Sequence, residues 1–169
     1  NNRLGIGAQR AMALAQQLYE GVDLPGEGPV GLITYMRTDS VRVSDDAIND
    51  VREFIPRAFN PEYLPNKPNV FKSGGRVQDA HEAVRPTSVT LHPSEVGDLL
   101  PPDQVRVYEL IWKRFVASQM KPQVLHITTI EITAGDYRLR ASGSNVKFAG
   151  FTEVYSESRD DEDEQQDNS

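Results

Sequence analysis

Apolar residues recur at helical spacing in three long segments of the chain, which predicts three amphipathic helices. The first covers residues 8–20 and is followed by Gly21, a residue type that often ends helices. The second begins after Ser44, a favourable N-cap residue, and Pro56 is expected to end it. The third covers residues 103–120 and carries the only tryptophan of the chain.

Shorter apolar runs predict strands and one further helix. Residues 30–35 form an apolar run that predicts a strand, and Pro93 to Leu100 predict a short helix before the double proline that follows. After Pro122 the period of apolar residues changes to two, which is typical of strands. We expect three strands there, with turns at residues 134–136 and 143–145 and the third strand over about 146–154. The elements together predict an α+β fold.

Composition indicates a soluble globular protein. Hydrophobic residues make up 38% of the 169 residues, and no apolar run approaches the roughly 18 residues that cross a membrane. The start of the chain lacks the pattern of a signal peptide. The chain has no cysteine, which excludes disulfides and thiolate metal sites and suits a cytoplasmic protein.

The net charge of −7 is concentrated at the C-terminal end. Residues 156–169 contain seven acids and one base, so residues 1–155 carry a net charge of only −1. We interpret this acidic segment as a solvated, disordered tail. A nearly neutral body gives little general attraction for duplex DNA. Binding to nucleic acid would therefore depend on a few well-placed cations or on another domain.

Residues 31–40 read Gly-Leu-Ile-Thr-Tyr-Met-Arg-Thr-Asp-Ser, so a tyrosine is followed two positions later by an arginine. A tyrosine oxygen can form a phosphodiester with DNA, and guanidinium is the cation best matched to a phosphate. A free tyrosine has a pKa of about 10, so such a nucleophile needs activation. Periodicity alone favours a plainer interpretation, in which Tyr35 lies at the rim of a buried strand that ends in a polar turn.

A second block reads Asp-Ala-His-Glu-Ala-Val-Arg-Pro-Thr over residues 79–87. The two blocks, in this order and roughly at this separation, resemble the conserved segments of type IA DNA topoisomerases, the bacterial topoisomerase I family. The resemblance extends over about residues 1–155. Val84 stands where the family often has isoleucine, which is a conservative difference.

The resemblance implies a transesterification in which Tyr35 attacks DNA and becomes linked to the 5′ phosphate. Arg37 would favour the phenolate and neutralise charge on the phosphate. A supporting or DNA-binding role is implied for a further set of side chains, namely Thr34, Thr38, Asp39, His81 and Arg85. Ser40 is expected to serve turn chemistry instead, and for Asp39 turn chemistry is an equally open alternative.

The family's magnesium-binding Toprim domain has no match in this chain. The acids at residues 160–164 occupy a low-complexity segment rather than a folded scaffold, so we predict no metal site here. Mg²⁺ would belong to the parent enzyme through a domain outside this chain. His81 and Glu82 resemble the start of a zinc-protease motif, but the second histidine is missing.

The combined interpretation is an isomerase of the type IA topoisomerase class, present as a piece that carries the nucleophile. The fold would be a mostly helical, winged-helix-like domain over residues 1–122, with an antiparallel β meander of the arch domain over 123–155 and the acidic tail over 156–169. The partners would be single-stranded or underwound DNA and the remaining parent domains, in the nucleoid-associated cytoplasm and away from membranes. Two alternatives remain: a non-catalytic module that binds single-stranded DNA, and a protein-interaction domain with a degenerate site.

Overall fold

The computed structural model describes residues 4–26, 28–71 and 81–156. Within these ranges the chain forms α1 (Ala8–Glu20), β1 (Val22–Leu24), β2 (Gly28–Val30), α2 (Asp45–Ala58), α3 (Pro93–Val96), α4 (Pro102–Ser118), β3 (Val124–Ala134) and β4 (Tyr137–Phe148). Short 3-10 turns cover Pro61–Tyr63, Gly97–Leu99 and Gly150–Glu153. The α+β class and the helices predicted from periodicity are confirmed.

The hydrophobic core lies among the helices, where α1 packs against α4. Tyr108 and Trp112 of α4 are almost completely buried, and each directs its polar atom to a backbone carbonyl. The Tyr108 hydroxyl donates to the Leu91 carbonyl oxygen over 2.7 Å, and Trp112 Nε1 donates to that of Val89 over 2.9 Å. Both rings thereby contribute apolar area to the core without leaving a buried donor unpaired.

Helix α2 begins after Ser44, as predicted, but ends later than predicted. Ser44 occupies the N-cap position, but its side chain makes no capping hydrogen bond. Pro56 lies inside the helix, which continues to Ala58, so the expectation that it ends the helix was wrong. A proline removes one backbone donor and therefore one helical hydrogen bond. The buried Ile55 and the bond from the Phe59 N–H to the Ile55 carbonyl keep the last turn helical.

The predicted strand over residues 30–35 is wrong, because only Val30 belongs to a strand and β1 pairs with β2 in a small hairpin. The rest of the segment is extended but pairs with residues 85–87 through an isolated bridge between Ile33 and Pro86. Proline has no N–H to donate, so a regular ladder cannot continue through Pro86.

The predicted three-stranded meander is also wrong, because β3 and β4 form one long antiparallel hairpin. Its turn is Gly135-Asp136, and Gly135 has φ +60° at the position where a tight hairpin turn favours glycine. Residues 143–145, which we expected to turn, instead pair with Thr128, Ile127 and His126 inside the ladder. An unbroken ladder satisfies their backbone groups, so a turn-like composition does not decide the structure there.

The predicted third strand over residues 146–154 divides into the end of β4 and a 3-10 turn that returns the chain to the helices. The Phe151 N–H donates to the Lys121 carbonyl oxygen over 2.9 Å. Gly150 has φ +55°, and a Cβ atom there would lie 2.4 Å from the Pro122 carbonyl. Glycine is therefore required where the two ends of the hairpin meet.

Two of the segments discussed from the sequence extend beyond the part of the chain that the structure describes. Residues 157–169 of the acidic tail, and residues 72–80 of the proline- and glycine-rich connection, lie outside the described residues. The boundaries of the three predicted regions stay predictions. Among the residues described, no helix is both long and apolar enough to cross a membrane.

Candidate active site

Helix α1 anchors the segment that leads to Tyr35. The Leu32 N–H donates to the Leu18 carbonyl oxygen over 2.7 Å, so a carbonyl at the helix end gains a partner. Gly31 lies so close to the helix that a Cβ atom there would be 2.8 Å from the Tyr19 carbonyl oxygen. These two contacts fix the segment against the last turn of α1.

Residues 35–41 form a loop, hereafter the tyrosine loop, whose two ends are held by Ala83. The Thr34 hydroxyl donates to the Ala83 carbonyl oxygen over 2.8 Å. The Ala83 N–H donates to the Arg42 carbonyl oxygen, also over 2.8 Å. The Thr34 N–H donates to the Arg85 carbonyl oxygen over 2.9 Å and so reinforces the first end of the loop. The second sequence block thus closes the loop that the first block provides.

The polar side-chain groups of Thr34 and Arg85 are engaged within the protein, mainly with backbone atoms. Thr34 Oγ1 also accepts from the Arg85 N–H at 3.0 Å. The Arg85 guanidinium is 14% exposed and pairs with Glu82 at 2.8 Å. It also donates to the Pro86 carbonyl oxygen at 3.0 Å and to Ser44 Oγ at 3.4 Å. Ser44 therefore uses its hydroxyl on this cation instead of capping α2.

Tyr35 is 40% exposed, and its ring contacts two other aromatic side chains. The ring centroids of Tyr35 and Tyr19 are 5.4 Å apart in an edge-to-face arrangement. The ring of His81 lies 5.9 Å from that of Tyr35. The structure therefore brings His81 and Tyr35 together, as the two sequence blocks predicted. The Tyr35 hydroxyl makes no hydrogen bond to any described residue, which leaves it accessible to a ligand.

The remaining predicted side chains lie along the tyrosine loop. Arg37 is exposed and forms neither a hydrogen bond nor an ion pair with the described residues. Thr38 Oγ1 accepts from the Ser40 N–H at 3.0 Å, and Ser40 Oγ accepts from the Arg42 N–H at 3.2 Å. These bonds give Thr38 and Ser40 a turn-forming role. Asp39 is exposed at the tip of the same turn.

The acids near Tyr35 do not fit a magnesium site. Glu82 is engaged by Arg85, and Asp39 is an isolated exposed carboxylate. Across residues 4–26, 28–71 and 81–156, no three His, Asp or Glu side chains are grouped as metal ligands would be. Magnesium prefers several oxygen ligands in near-octahedral geometry. The described residues therefore provide a tyrosine and a cation, without a metal-binding set.

Sequence reasoning missed the residues that position the loop from outside the two blocks. Tyr19 falls within the helix predicted over residues 8–20, which gave it no role in the site, whereas its ring lies against Tyr35. Gly31 was taken as part of an apolar strand, although it permits close approach to the helix. A tyrosine on the last turn of an amphipathic helix carries no signal for this role, because the contact depends on tertiary packing.

Comparison with known proteins identifies the family of the chain. A family model described as DNA topoisomerase matches residues 1–168. Among solved structures, full-length topoisomerase I from Thermotoga maritima is similar, with a TM-score of 0.78 and 41% sequence identity. The match covers 94% of this chain and 25% of that one, so the chain spans about a quarter of the length of that relative. The chain belongs to the DNA topoisomerase family and is similar in sequence and fold to a topoisomerase I.

Proposed function

We propose that this chain is the nucleophile-bearing piece of a type IA DNA topoisomerase and that Tyr35 is the nucleophile. The observation that carries the proposal is the exposure of Tyr35 on a loop whose backbone is fixed at both ends. The residue is 40% exposed and its hydroxyl has no hydrogen bond among the described residues, while the loop that bears it is bonded at both ends to Ala83. An exposed group on a fixed backbone is the arrangement that pre-organised catalysis requires.

In the proposed reaction, the Tyr35 hydroxyl oxygen attacks a phosphodiester of one DNA strand. A bond forms between this oxygen and phosphorus, and the bond from phosphorus to the 3′ oxygen of the neighbouring nucleotide breaks. The phenol proton is lost and the departing 3′ oxygen gains a proton. One phosphodiester replaces another, so the break can be resealed by the reverse step without an external energy source.

Arg37 is proposed to bind the phosphate under attack, because its guanidinium is exposed and is not engaged by the described residues. His81 is proposed to contact the DNA or to support Tyr35 through their ring contact. Thr34 and Arg85 support the site by holding the loop, and Thr38 shapes its turn. Asp39 is proposed to lie beside the bound strand.

The parent polypeptide is proposed to relax negatively supercoiled DNA by cutting one strand, passing the other through and resealing. No metal-ligand set occurs among the described residues beside Tyr35, and we propose that Mg²⁺ is held by a Toprim domain elsewhere in the parent. The proposed partners are underwound or single-stranded DNA and the other parent domains. The 169 residues alone are then expected to be inactive.

A second candidate is a module that binds single-stranded DNA without cutting it. Tyr19 and Tyr35 are each about 40% exposed and their rings are in contact, and Arg37 follows Tyr35 by two positions on the same loop. Exposed aromatic rings with a nearby cation are also the elements that stack and hold unpaired bases. Binding alone would need these rings but would not need the Tyr35 hydroxyl.

An end-labelled, single-stranded oligonucleotide distinguishes the two candidates. The complete parent polypeptide is mixed with Mg²⁺ and the oligonucleotide, and covalent complexes are trapped with denaturant. Label at the 3′ end should appear on the protein, whereas label at the 5′ end should appear on a released fragment with a free 3′ hydroxyl. Tyr35→Phe should retain binding and lose the covalent complex. Equal binding by both proteins with no covalent complex from the wild type would favour the non-catalytic module.

A further inference from the structure

We infer that Tyr19 is a positioning residue, which holds the Tyr35 side chain in the orientation needed for attack. The inference rests on the proposed role of Tyr35 as nucleophile and names a residue outside both sequence blocks. The ring of Tyr19 contacts that of Tyr35, and backbone contacts fix Tyr19 in place.

The side chain of Tyr35 has no hydrogen bond in the described part of the chain, so its orientation depends on packing. Tyr35 is 40% exposed. The loop closure at Ala83 fixes the backbone but leaves rotation about the Cα–Cβ bond free. Among the described residues, its ring lies 5.4 Å from that of Tyr19 and 5.9 Å from that of His81, and these contacts can restrain its orientation.

Tyr19 can provide this support because the backbone around it is fixed. It lies in the last turn of α1, where the preceding carbonyl, that of Leu18, accepts from the Leu32 N–H. Its own carbonyl lies against Gly31, where a Cβ atom would be only 2.8 Å away. The end of α1 and the segment that leads to Tyr35 therefore have a fixed relative position. The Tyr19 ring contacts Tyr35 from a regular helix.

The part of Tyr19 that matters is its ring, since its hydroxyl makes no hydrogen bond among the described residues. Edge-to-face aromatic pairs favour one relative orientation over others. Loss of the ring should let Tyr35 visit other rotamers, which lowers the fraction of molecules ready to react. We expect a decrease of about 3-fold to 10-fold in the rate of cleavage, with little change in DNA affinity.

The test compares three variants of the complete parent polypeptide under single-turnover conditions. Tyr19→Leu removes the ring, and Tyr19→Phe keeps it. Tyr137→Leu is the matched control, because Tyr137 is a 77% exposed tyrosine at the tip of the β3–β4 hairpin. We expect Tyr19→Leu to slow covalent complex formation at unchanged oligonucleotide affinity, and Tyr19→Phe and Tyr137→Leu to match the wild type. A wild-type rate in Tyr19→Leu, or an equal loss in Tyr19→Phe, would overturn the inference.

A second measurement uses the 169-residue chain and needs no activity. Scalar couplings between the Hα and Hβ nuclei of Tyr35 report its rotamer populations by NMR. The wild type and Tyr19→Phe should show one dominant rotamer, and Tyr19→Leu should show averaged couplings. Averaged couplings already in the wild type would refute the positioning role. A wild-type polypeptide that forms no covalent complex, yet shows this NMR pattern, would refute the proposed function and leave the ring contact established.

Discussion

Two arginines near Tyr35 carry the same charge and have different surroundings. The Arg85 guanidinium is mostly buried, is paired with Glu82 and donates to a carbonyl oxygen. Arg37 is exposed and has no hydrogen-bond or ion-pair partner in the described part of the chain. A guanidinium that already has its partners contributes to folding, whereas one without them can bind an incoming phosphate. The surroundings of the two arginines therefore predict a structural role for Arg85 and a phosphate-binding role for Arg37.

Replacing Arg37 with lysine tests this division on the functional side. Arg37→Lys keeps the charge but loses the planar fork that holds two phosphate oxygens. Loss of such a contact at a reacting phosphate typically costs about 2.7 to 4 kcal/mol, so covalent complex formation should slow by about 100-fold to 1000-fold. Arg57→Lys is the control, because Arg57 is a surface residue of α2 paired only with Glu53. Full activity in Arg37→Lys would make Arg37 a structural cation.

Replacing Arg85 should instead lower the stability of the fold. Arg85→Met keeps most of the aliphatic bulk but leaves Glu82 and the Pro86 carbonyl without their donor. We expect the free energy of unfolding of the 169-residue chain to fall by about 1 to 3 kcal/mol in urea titrations. Tyr35→Phe should leave this free energy unchanged, since its hydroxyl has no partner among the described residues. An unchanged value for Arg85→Met would show that the ion pair does not hold the loop.

At the scale of single residues, the sequence indicated candidate site residues but not the residues that support them. Tyr35, Arg37 and His81 were identified from two short blocks, and the structure brings the rings of Tyr35 and His81 together. The structural use of Arg85 and the contact of Tyr19 were not predicted. Both depend on residues distant in sequence, since Tyr19 precedes Tyr35 by 16 positions and Arg85 follows Ser44 by 41.

Helix α4 shows why helices were easier to predict than strands. Its apolar face repeats within the segment itself, so periodicity identifies it without knowledge of the partner. The segment over residues 30–35 instead pairs with residues 85–87, and β4 extends through residues that look like a turn. Strand pairing is decided by a distant segment, which a local pattern does not contain.

Tyr108 of α4 gives the fold a measurable pH dependence. Burial raises the pKa of Tyr108 above its ordinary value near 10, with a further contribution from the charge of Glu95. A raised pKa means that its contribution to stability is complete below about pH 10 and is lost as the pH rises toward the folded-state pKa. In that range the unfolded chain can ionise the phenol while the folded chain resists it.

Tyr108→Phe is therefore expected to act differently at two pH values. At pH 7 it should lower the free energy of unfolding by about 1 kcal/mol, because the Leu91 carbonyl loses its donor. At pH 10.5 the difference from the wild type should be smaller, because the variant has no phenol to ionise. Urea titrations at both pH values measure this, and Tyr137→Phe at an exposed position is the control. The same difference at both values would contradict the assignment.

At the scale of the whole molecule, the charge is unevenly distributed along the chain. Residues 156–169 carry a net charge of −6, and residues 1–155 carry −1. DNA binding by the body must then depend on particular cations rather than on a strongly positive surface. The acidic segment repels DNA whenever salt does not screen it.

Deleting residues 157–169 should therefore raise affinity for a single-stranded oligonucleotide at low salt. The effect should be largest near 10 mM salt, where the Debye length is about 30 Å, and nearly absent at 1 M. Fluorescence anisotropy at several salt concentrations measures it. The matched control replaces the seven acids of this segment by their amides at full length, which should reproduce the gain. A gain that is independent of salt would point to a cause other than charge.

The central claim is that the Tyr35 hydroxyl forms the covalent bond to DNA, and the most direct test locates that bond. The complete polypeptide is trapped on an oligonucleotide, digested with trypsin and nuclease, and sequenced by fragmentation mass spectrometry. Cleavage after Arg10 and Arg37 gives a peptide that contains both Tyr19 and Tyr35, so the fragment ions must separate them. We expect a nucleotide joined through its 5′ phosphate to the Tyr35 oxygen. A nucleotide joined to Tyr19, or to a residue outside this peptide, would contradict this claim.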